Sequence, residues 1–323
     1  MNTEDYEIFR HYEYRPFLNS GRLFHLSSEP YLDIVFNDHC NAKCKFCISK
    51  LVHKKIKADI EELKPKILYA VEKMGVREVL LLGGEPTIND DIFPIIDYLK
   101  QFNLNKICIT TNGYRLSKDV DYRNRLFSSG ITHLNLSLMN IDKHQQLYIS
   151  GSKTYVGLSE LRNIYTTAHE YGVLLRINNN VFVNNHDSVS EMLGFYNNVK
   201  HLCDSVKFSP LLKTDSFGTV NKVTEFNRQH TLSDEEYDAL WHGVESWFAN
   251  FPIVKNHLTF GFVPYSMIML PTPIILNYNQ HGKLREKLVN EMKINNLKLL
   301  ATGELSLSWN REEKDWIINT IGE

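Results

Sequence analysis

Apolar positions fall into two kinds of block that take turns along the chain. Residues 31–37 (YLDIVFN) are short, rich in β-formers and carry one acid inside, which predicts a strand. Residues 57–74 space Ile60, Leu63, Ile67, Leu68 and Val71 at helical intervals, and Gly75 ends the run. Residues 79–82 are apolar without alternation, as in a strand buried on both faces. The exchange then repeats. Helices are predicted over 92–102, 122–129, 153–171 and 188–198. Strands are predicted within KICITTNG, ITHLNLSLMN and VLLRINNNVF, and over 205–209.

Strand and helix therefore alternate about six times over residues 28–215. Such alternation implies a parallel sheet covered by helices. The stretch is short for a complete eightfold barrel of about 250 residues. The expected fold is α/β: a partial (β/α)6 TIM-like barrel with a parallel sheet. Residues 1–27, polar and aromatic, are expected to form an N-terminal arm. Residues 216–323 are expected to be a C-terminal α+β extension that caps or shapes the substrate site. Within it, residues 234–248 predict a helix capped by Ser233. Residues 256–282 hold no Asp, Glu, Lys or Arg and three prolines, which predicts an ordered, largely buried loop. Its aromatic residues Phe260, Phe262, Tyr265 and Tyr278 can stack on a base, pack a side chain or simply be core. Residues 297–309, around Thr302-Gly303, predict a hairpin.

Charge narrows the function classes. The chain has 36 Lys and Arg against 38 Asp and Glu, which disfavours a general nucleic-acid or anionic-membrane binder but leaves room for a local basic pocket. The N-terminus has no apolar core segment of a secretory signal, and no apolar run of about 18 residues suggests a membrane span. Cytoplasm is the expected compartment. Five cysteines in 323 residues are no disulfide scaffold, yet three lie together at Cys40, Cys44 and Cys47.

Three thiolates directly after a strand admit two metal chemistries. With His39 as a fourth ligand they suit a tetrahedral zinc. Cysteines spaced by a few residues also hold iron–sulfur clusters, and three ligands on a [4Fe–4S] cluster leave one iron open. The Cys-x3-Cys-x2-Cys spacing, with Phe46 before the third cysteine, resembles the cluster motif of radical S-adenosylmethionine enzymes. That resemblance implies that Cys40, Cys44 and Cys47 hold one [4Fe–4S] cluster whose open iron chelates S-adenosylmethionine. One electron then yields a 5′-deoxyadenosyl radical that abstracts hydrogen from the substrate.

Further motifs fall where such a family puts them. Gly83-Gly84-Glu85-Pro86 follows the second strand; glycines allow close backbone approach, and the resemblance implies contact with the cofactor's amino group. Thr110-Thr111-Asn112-Gly113 resembles the family's Thr-x-Asn-Gly loop, making Thr110 and Asn112 cofactor-side candidates; a plain turn is the alternative. Ser137 ends the fourth strand and is a candidate ribose or carboxylate contact, although Met139 stands where many relatives have an acid. Arg176, in an otherwise apolar strand, needs an anion partner and is a candidate for the methionine carboxylate. Asn178 and Asn180 share its parity. Lys207 and Ser209 have pocket-facing parity on the sixth strand. Cys108 and Cys203 are expected in the core.

The closest pattern is the branch of the molybdopterin-precursor cyclase and the peptide-modifying maturases. Both usually carry further cysteines for a second cluster, whereas none follows Cys203 here, so a one-cluster enzyme is expected. The Ile-Gly-Glu ending also differs from the cyclase's Gly-Gly tail. A ribosomal peptide to be crosslinked or epimerised leads the substrate expectations. A nucleotide or sugar-nucleotide follows, then an RNA base, which the balanced charge disfavours. An iron–sulfur carrier or a metal-stabilised binding module is the non-enzyme alternative. The one-electron requirement implies a flavodoxin or ferredoxin as electron donor.

Overall fold

A computed structural model describes residues 13–49, 58–88, 90–214, 220–256, 265–278, 292–307 and 317–318. The chain enters the sheet early: β1 (Tyr14–Asn19) and β2 (Arg22–Val35) form an antiparallel hairpin. The expected arm is thus strand over residues 14–27. Alternation in RLFHLSS carries that signal, and the polar, aromatic setting hides it.

Five α/β exchanges follow. The first is α1 (Ile60–Glu72) and β3 (Glu78–Leu82), then α2 (Ile92–Leu99) and β4 (Lys106–Thr111). Next come α3 (Tyr114–Lys118), α4 (Val120–Ser128) and β5 (His133–Ser137). The last two are α5 (Lys143–Ser150), α6 (Leu158–Glu170) and β6 (Leu174–Val181), then α7 (Val189–Val199) and β7 (Ser205–Pro210). Local chemistry sets several starts. The Asp59, Asp119, Asp142 and Ser188 side chains each accept a backbone N–H in the first turn of α1, α4, α5 and α7. The short helices α3 and α5 lie outside the periodic blocks, because a helix of one or two turns gives little periodicity to read.

Strands β2 to β7 lie side by side in chain order and are all parallel. This is the expected α/β architecture, a partial barrel that stays open. Beyond β7 come α8 (Lys222–His230) and α9 (Asp234–Trp247), the latter capped reciprocally by Ser233 and Glu236. Then come β8 (Ile253–Asn256), β9 (Tyr265–Ile268), β10 (Ile274–Asn277), β11 (Lys293–Leu299) and β12 (Leu305–Ser306). Strand β10 pairs parallel with β7, and β11 pairs parallel with β2, so the last third lengthens the sheet at both edges. Residues 265–277 are therefore two strands rather than the expected loop. Pro271 and Pro273 punctuate the turn between them, where a missing N–H costs nothing. The hairpin around Thr302-Gly303 is present as β11 and β12; Trp309 lies outside the described residues.

Strand alternation divides the sheet. Leu32, Ile34, Val79, Leu81, Ile109, Leu134, Leu136, Leu175, Ile177, Val206 and Phe208 belong to the helix-covered core. Each such side chain contributes about 1.5–3 kcal/mol by leaving water. The intervening positions point to the inside of the curl. Among the described residues, no helix is long and apolar enough to cross a membrane.

Candidate active site

The cysteine loop leaves the end of β2 through Phe36 and Asn37, both buried. Two neighbours fix its backbone. On one side Lys43 N–H donates to Ser150 O at 2.8 Å and Lys45 N–H to Ile149 O at 3.0 Å, at the end of α5. Gly151 turns the chain there with φ 57°, and a Cβ on it would sit 2.6 Å from Lys43 O. On the other side Gly84 N–H donates to Asn37 O at 2.8 Å and Glu85 N–H to His39 O at 2.7 Å. A Cβ on Gly83 or Gly84 would lie 2.3 Å from Asn37 O or 2.1 Å from His39 O. The two glycines are thus required by close approach to the cysteine loop itself.

Cys40 is exposed and Cys44 and Cys47 are partly so, whereas Cys108 and Cys203 are buried. Burial raises both buried thiols, Cys203 to about 12; Cys203 joins the helix-covered core, whereas Cys108 is buried on the inner parity of β4 between Lys106 and Thr110. Phe46 turns the other way and packs on Phe182 beside Ile149, Leu211 and Phe226. Among the described residues, no three His, Cys, Asp or Glu side chains are gathered closely enough to cage a single metal ion. An iron–sulfur cluster is a larger group, and its thiolates surround several atoms. Three accessible thiols on one braced loop fit that group.

Glu85 departs from the sequence expectation. Its carboxylate is buried and points into the protein. Oε1 accepts from Thr87 N–H (3.0 Å), Thr87 Oγ1 (2.7 Å) and Thr111 Oγ1 (2.6 Å), and Oε2 from Asn112 N–H (2.7 Å). Burial pushes this carboxyl up against the pull of those donors. The carboxylate therefore locks the Gly-Gly-Glu-Pro loop to the Thr-Thr-Asn-Gly loop, and only the backbone edge remains for a cofactor. Pro86 is buried at the start of a single 3-10 turn. Asn112 closes the circle: its Nδ2 donates to Asn41 Oδ1 of the cysteine loop at 2.7 Å, while its Oδ1 accepts from Tyr114 N–H.

The inner positions of the strands form ordered rows. Thr110, Asn135, Arg176 and Ser205 are register partners on β4 to β7. One step toward the mouth, Ser137, Asn178 and Lys207 form the next row, followed by Asn180 and Ser209. The parity expected for Arg176, Asn178, Asn180, Lys207 and Ser209 is present. Asn178 Oδ1 accepts from Arg176 Nε at 3.1 Å, so Asn178 aims the guanidinium. Asn135 Nδ2 donates to Thr110 Oγ1 at 3.2 Å, and Asn277 Nδ2 to Ser209 Oγ at 2.8 Å.

This face is polar and carries both signs of charge: at its base Lys106 has the acid Glu78 of β3 as its register partner. Burial, then the charges of Arg176 and Lys106, push the Lys207 ammonium down to about 7. Burial, then Lys106 and Arg176, push His133 down to about 4. Lys106, His133 and Asn135 escaped the sequence reading. The signal was available: counting back by two from Thr110 and Ser137 reaches all three. Asn41 and Thr87 escaped as well, with no sequence signal beyond adjacency to motifs. Of the aromatic candidates, the Tyr278 hydroxyl donates to Glu245 Oε1 at 2.5 Å and is structural. Phe260 and Phe262, and the side chain of Tyr265, lie outside the described residues.

A parallel sheet with a three-cysteine loop, a Gly-Gly-Glu-Pro loop and a Thr-x-Asn-Gly loop meeting at its strand ends defines a radical S-adenosylmethionine enzyme. The model of the radical SAM superfamily matches residues 34–201, and the chain belongs to that family. The family's cofactors are a [4Fe–4S] cluster and S-adenosylmethionine, and its members need an electron donor. Among relatives, the GTP 3′,8-cyclase of Mannheimia succiniciproducens is 29% identical over 206 residues, covering 62% of this chain and 57% of that protein. The GTP 3′,8-cyclase of Haemophilus influenzae is 30% identical over 196 residues, covering 58% and 56%. The chain thus spans a little over half the length of these curated relatives. Among solved structures, Streptococcus suis SuiB bound to precursor peptide SuiA aligns with a TM-score of 0.62 at 18% identity, over 87% of this chain and 60% of SuiB. That likeness concerns the fold.

Proposed function

We propose that this enzyme uses S-adenosylmethionine to abstract hydrogen from an anionic nucleotide or sugar-nucleotide held on the inner face of the sheet. The observation that carries the reading is the placing of Arg176 and Lys207 on adjacent strands β6 and β7, near enough for the guanidinium to lower the Lys207 ammonium. Neighbouring cations at a partly accessible site attract an anionic ligand. A phosphate-bearing substrate is an anion that such a pair would attract. The names of the GTP 3′,8-cyclase relatives agree with a nucleotide. A peptide substrate was the leading sequence expectation, but among the inner-face residues nothing specifically favours it.

The residues divide the work. Cys40, Cys44 and Cys47 would hold the cluster, which supplies the electron that cleaves S-adenosylmethionine to a 5′-deoxyadenosyl radical. The backbone edge at Gly83-Gly84 offers carbonyls to an ammonium group. Arg176, aimed by Asn178, offers a guanidinium to a carboxylate or phosphate. Ser137 and Thr110 present hydroxyls from adjacent strands, and Lys207 supplies a point charge one strand beyond Asn178. The flanking rows position the substrate and exclude water from its reacting carbon.

The test is anaerobic incubation of the reconstituted, dithionite-reduced protein with S-adenosylmethionine and deuterated GTP or sugar-nucleotides. Deuterium in the 5′-deoxyadenosine is expected with a nucleotide. Transfer from peptides alone would remove the nucleotide reading. Absence of 5′-deoxyadenosine under every condition would remove the cleavage reading itself.

A further inference from the structure

The cysteine loop has a second property that the chemistry at the strand ends does not use. Between Asp38 and Asp59 the sequence has six lysines and no acidic residue. In the described part of that stretch, Lys43 is exposed and Lys45 partly exposed. The helix that braces the loop, α5, adds exposed Lys143 and His144, and Lys153 follows it on the surface. Lys43, Lys143 and Lys153 have no carboxylate partner among the described residues, whereas Lys64, Lys100, Lys118 and Lys213 each have one. The nearest acid on α5, Asp142, is occupied as its N-cap. The formal charge of the whole chain is −2, so this rim is a local departure from balance. Beside it Tyr148 is 52% exposed, and the Lys45 ammonium lies 3.0 Å from the centroid of its ring.

We propose that this rim of Lys43, Lys45, Lys143 and Lys153 around Tyr148 is the docking surface for an acidic flavodoxin. The proposal rests on the cluster reading above and names the partner of that site. An electron bound for the three thiols must cross the surface nearest to them, and Cys40 is exposed there. Redox encounters are small and transient, so steering by charge matters more than buried area. The Tyr148 ring, 52% exposed with the Lys45 ammonium over one face, offers an apolar edge to the exposed edge of a flavin. A ferredoxin presents the same acidity but carries an iron–sulfur cluster in place of a flavin. In the encounter one electron leaves the flavin hydroquinone and enters the [4Fe–4S] cluster; no bond forms or breaks.

The experiment uses reconstituted holoprotein and a purified acidic bacterial flavodoxin. Binding of the oxidised flavodoxin is followed by calorimetry, and cluster reduction by its hydroquinone in stopped flow. The double variant Lys143→Glu, Lys153→Glu is expected to lower the association rate about tenfold at low salt, with the gap closing as salt rises. Tyr148→Ala is expected to weaken flavodoxin while leaving ferredoxin unchanged. Arg162→Glu, an exposed charge reversal on α6, is expected to have no effect. Iron content and dithionite-driven 5′-deoxyadenosine should match wild type throughout. If charge reversal costs iron, Lys143→Gln, Lys153→Gln replaces it. Unchanged flavodoxin affinity in the double variant overturns the proposal, as does wild-type binding of ferredoxin but not flavodoxin. Failure of dithionite to drive cleavage in wild type instead overturns the cluster reading, and the binding titration still decides the docking surface.

Discussion

The two faces of strands β4 to β7 are built from alternate residues of the same segments, yet they obey different rules. On the outward row Ile109, Leu134, Leu136, Leu175, Ile177, Val206 and Phe208 are apolar and at most 1% exposed, with Thr111 and Asn179 as buried polar residues toward the strand ends. The inward row, with Thr110, His133, Asn135, Ser137, Arg176, Asn178 and Lys207, is polar and in most places partly accessible. An ordinary barrel fills its interior with branched apolar side chains. Here the helix-covered face carries the large hydrophobic core, and the inner face of these strands holds charge and hydrogen-bonding groups. Stability and chemistry are thus separable by parity.

The most complete break comes from a residue on neither face. Cys44 sits on the loop beyond the strand ends, so Cys44→Ala should leave the outward row intact and the fold cooperative. It should also abolish bound iron and all formation of 5′-deoxyadenosine. Iron analysis beside a thermal melt reads both; retention of a full cluster would remove Cys44 from the ligand set.

The next largest effect should be on stability. Ile177 is fully buried on the outward row of β6, between Arg176 and Asn178 on the inward row. Ile177→Ala should cost about 2–5 kcal/mol in denaturant unfolding, from lost transfer free energy and a residual cavity. Asn178→Ala, its immediate neighbour, should cost far less but weaken S-adenosylmethionine binding, because Arg176 loses the acceptor that aims it. Equal stability losses at the two positions would refute the division of labour.

Glu85 tests whether the meeting of the loops is structural. All four of its hydrogen-bond partners are donors, so Glu85→Gln must turn an amide NH2 toward at least one of them. The expected cost is about 1–3 kcal/mol, with weaker cluster retention as the Asn112–Asn41 link loosens. Wild-type stability and iron content would show that the carboxylate is not the lock.

Much of this was legible in the sequence, for identifiable reasons. The strands β2 to β7 announce themselves by apolar content, and the cysteine spacing is local, so neither needs tertiary information. Parity placed Arg176, Asn178 and Lys207 on one face because the strand period is two. What was not legible required partners distant in the chain. The clasp of Lys43 and Lys45 by α5 depends on residues about a hundred positions away. The inward burial of the Glu85 carboxylate depends on Thr111 and Asn112. The short β9 and β10 pair in a prolines-and-aromatics stretch whose composition alone favoured a loop. The hairpin at residues 14–27 was masked by its polar setting.

The smallest predicted effect is the finest probe of the inner face. Lys207 is lowered from 10.5 to about 7 by burial and by Arg176 and Lys106, with Cys108 acting in the opposite direction. In the unfolded chain this lysine takes its proton below 10.5, and in the folded chain only below about 7. Stability from this residue is therefore lost as pH falls from 10.5 to about 7, and the full penalty persists below. Lys207→Met should raise stability at neutral pH and make no difference above the ordinary lysine value. Ligand binding should show the reverse preference. Affinity for GTP should fall as pH rises through 7 in wild type, relative to Lys207→Met, because the cation is lost; His133, titrating at about 4, stays neutral throughout that range. The ratio of the two affinities cancels the titration of the nucleotide's own phosphate. A ratio independent of pH would place Lys207 outside the substrate's reach and leave Arg176 as the inner face's contact with the anion.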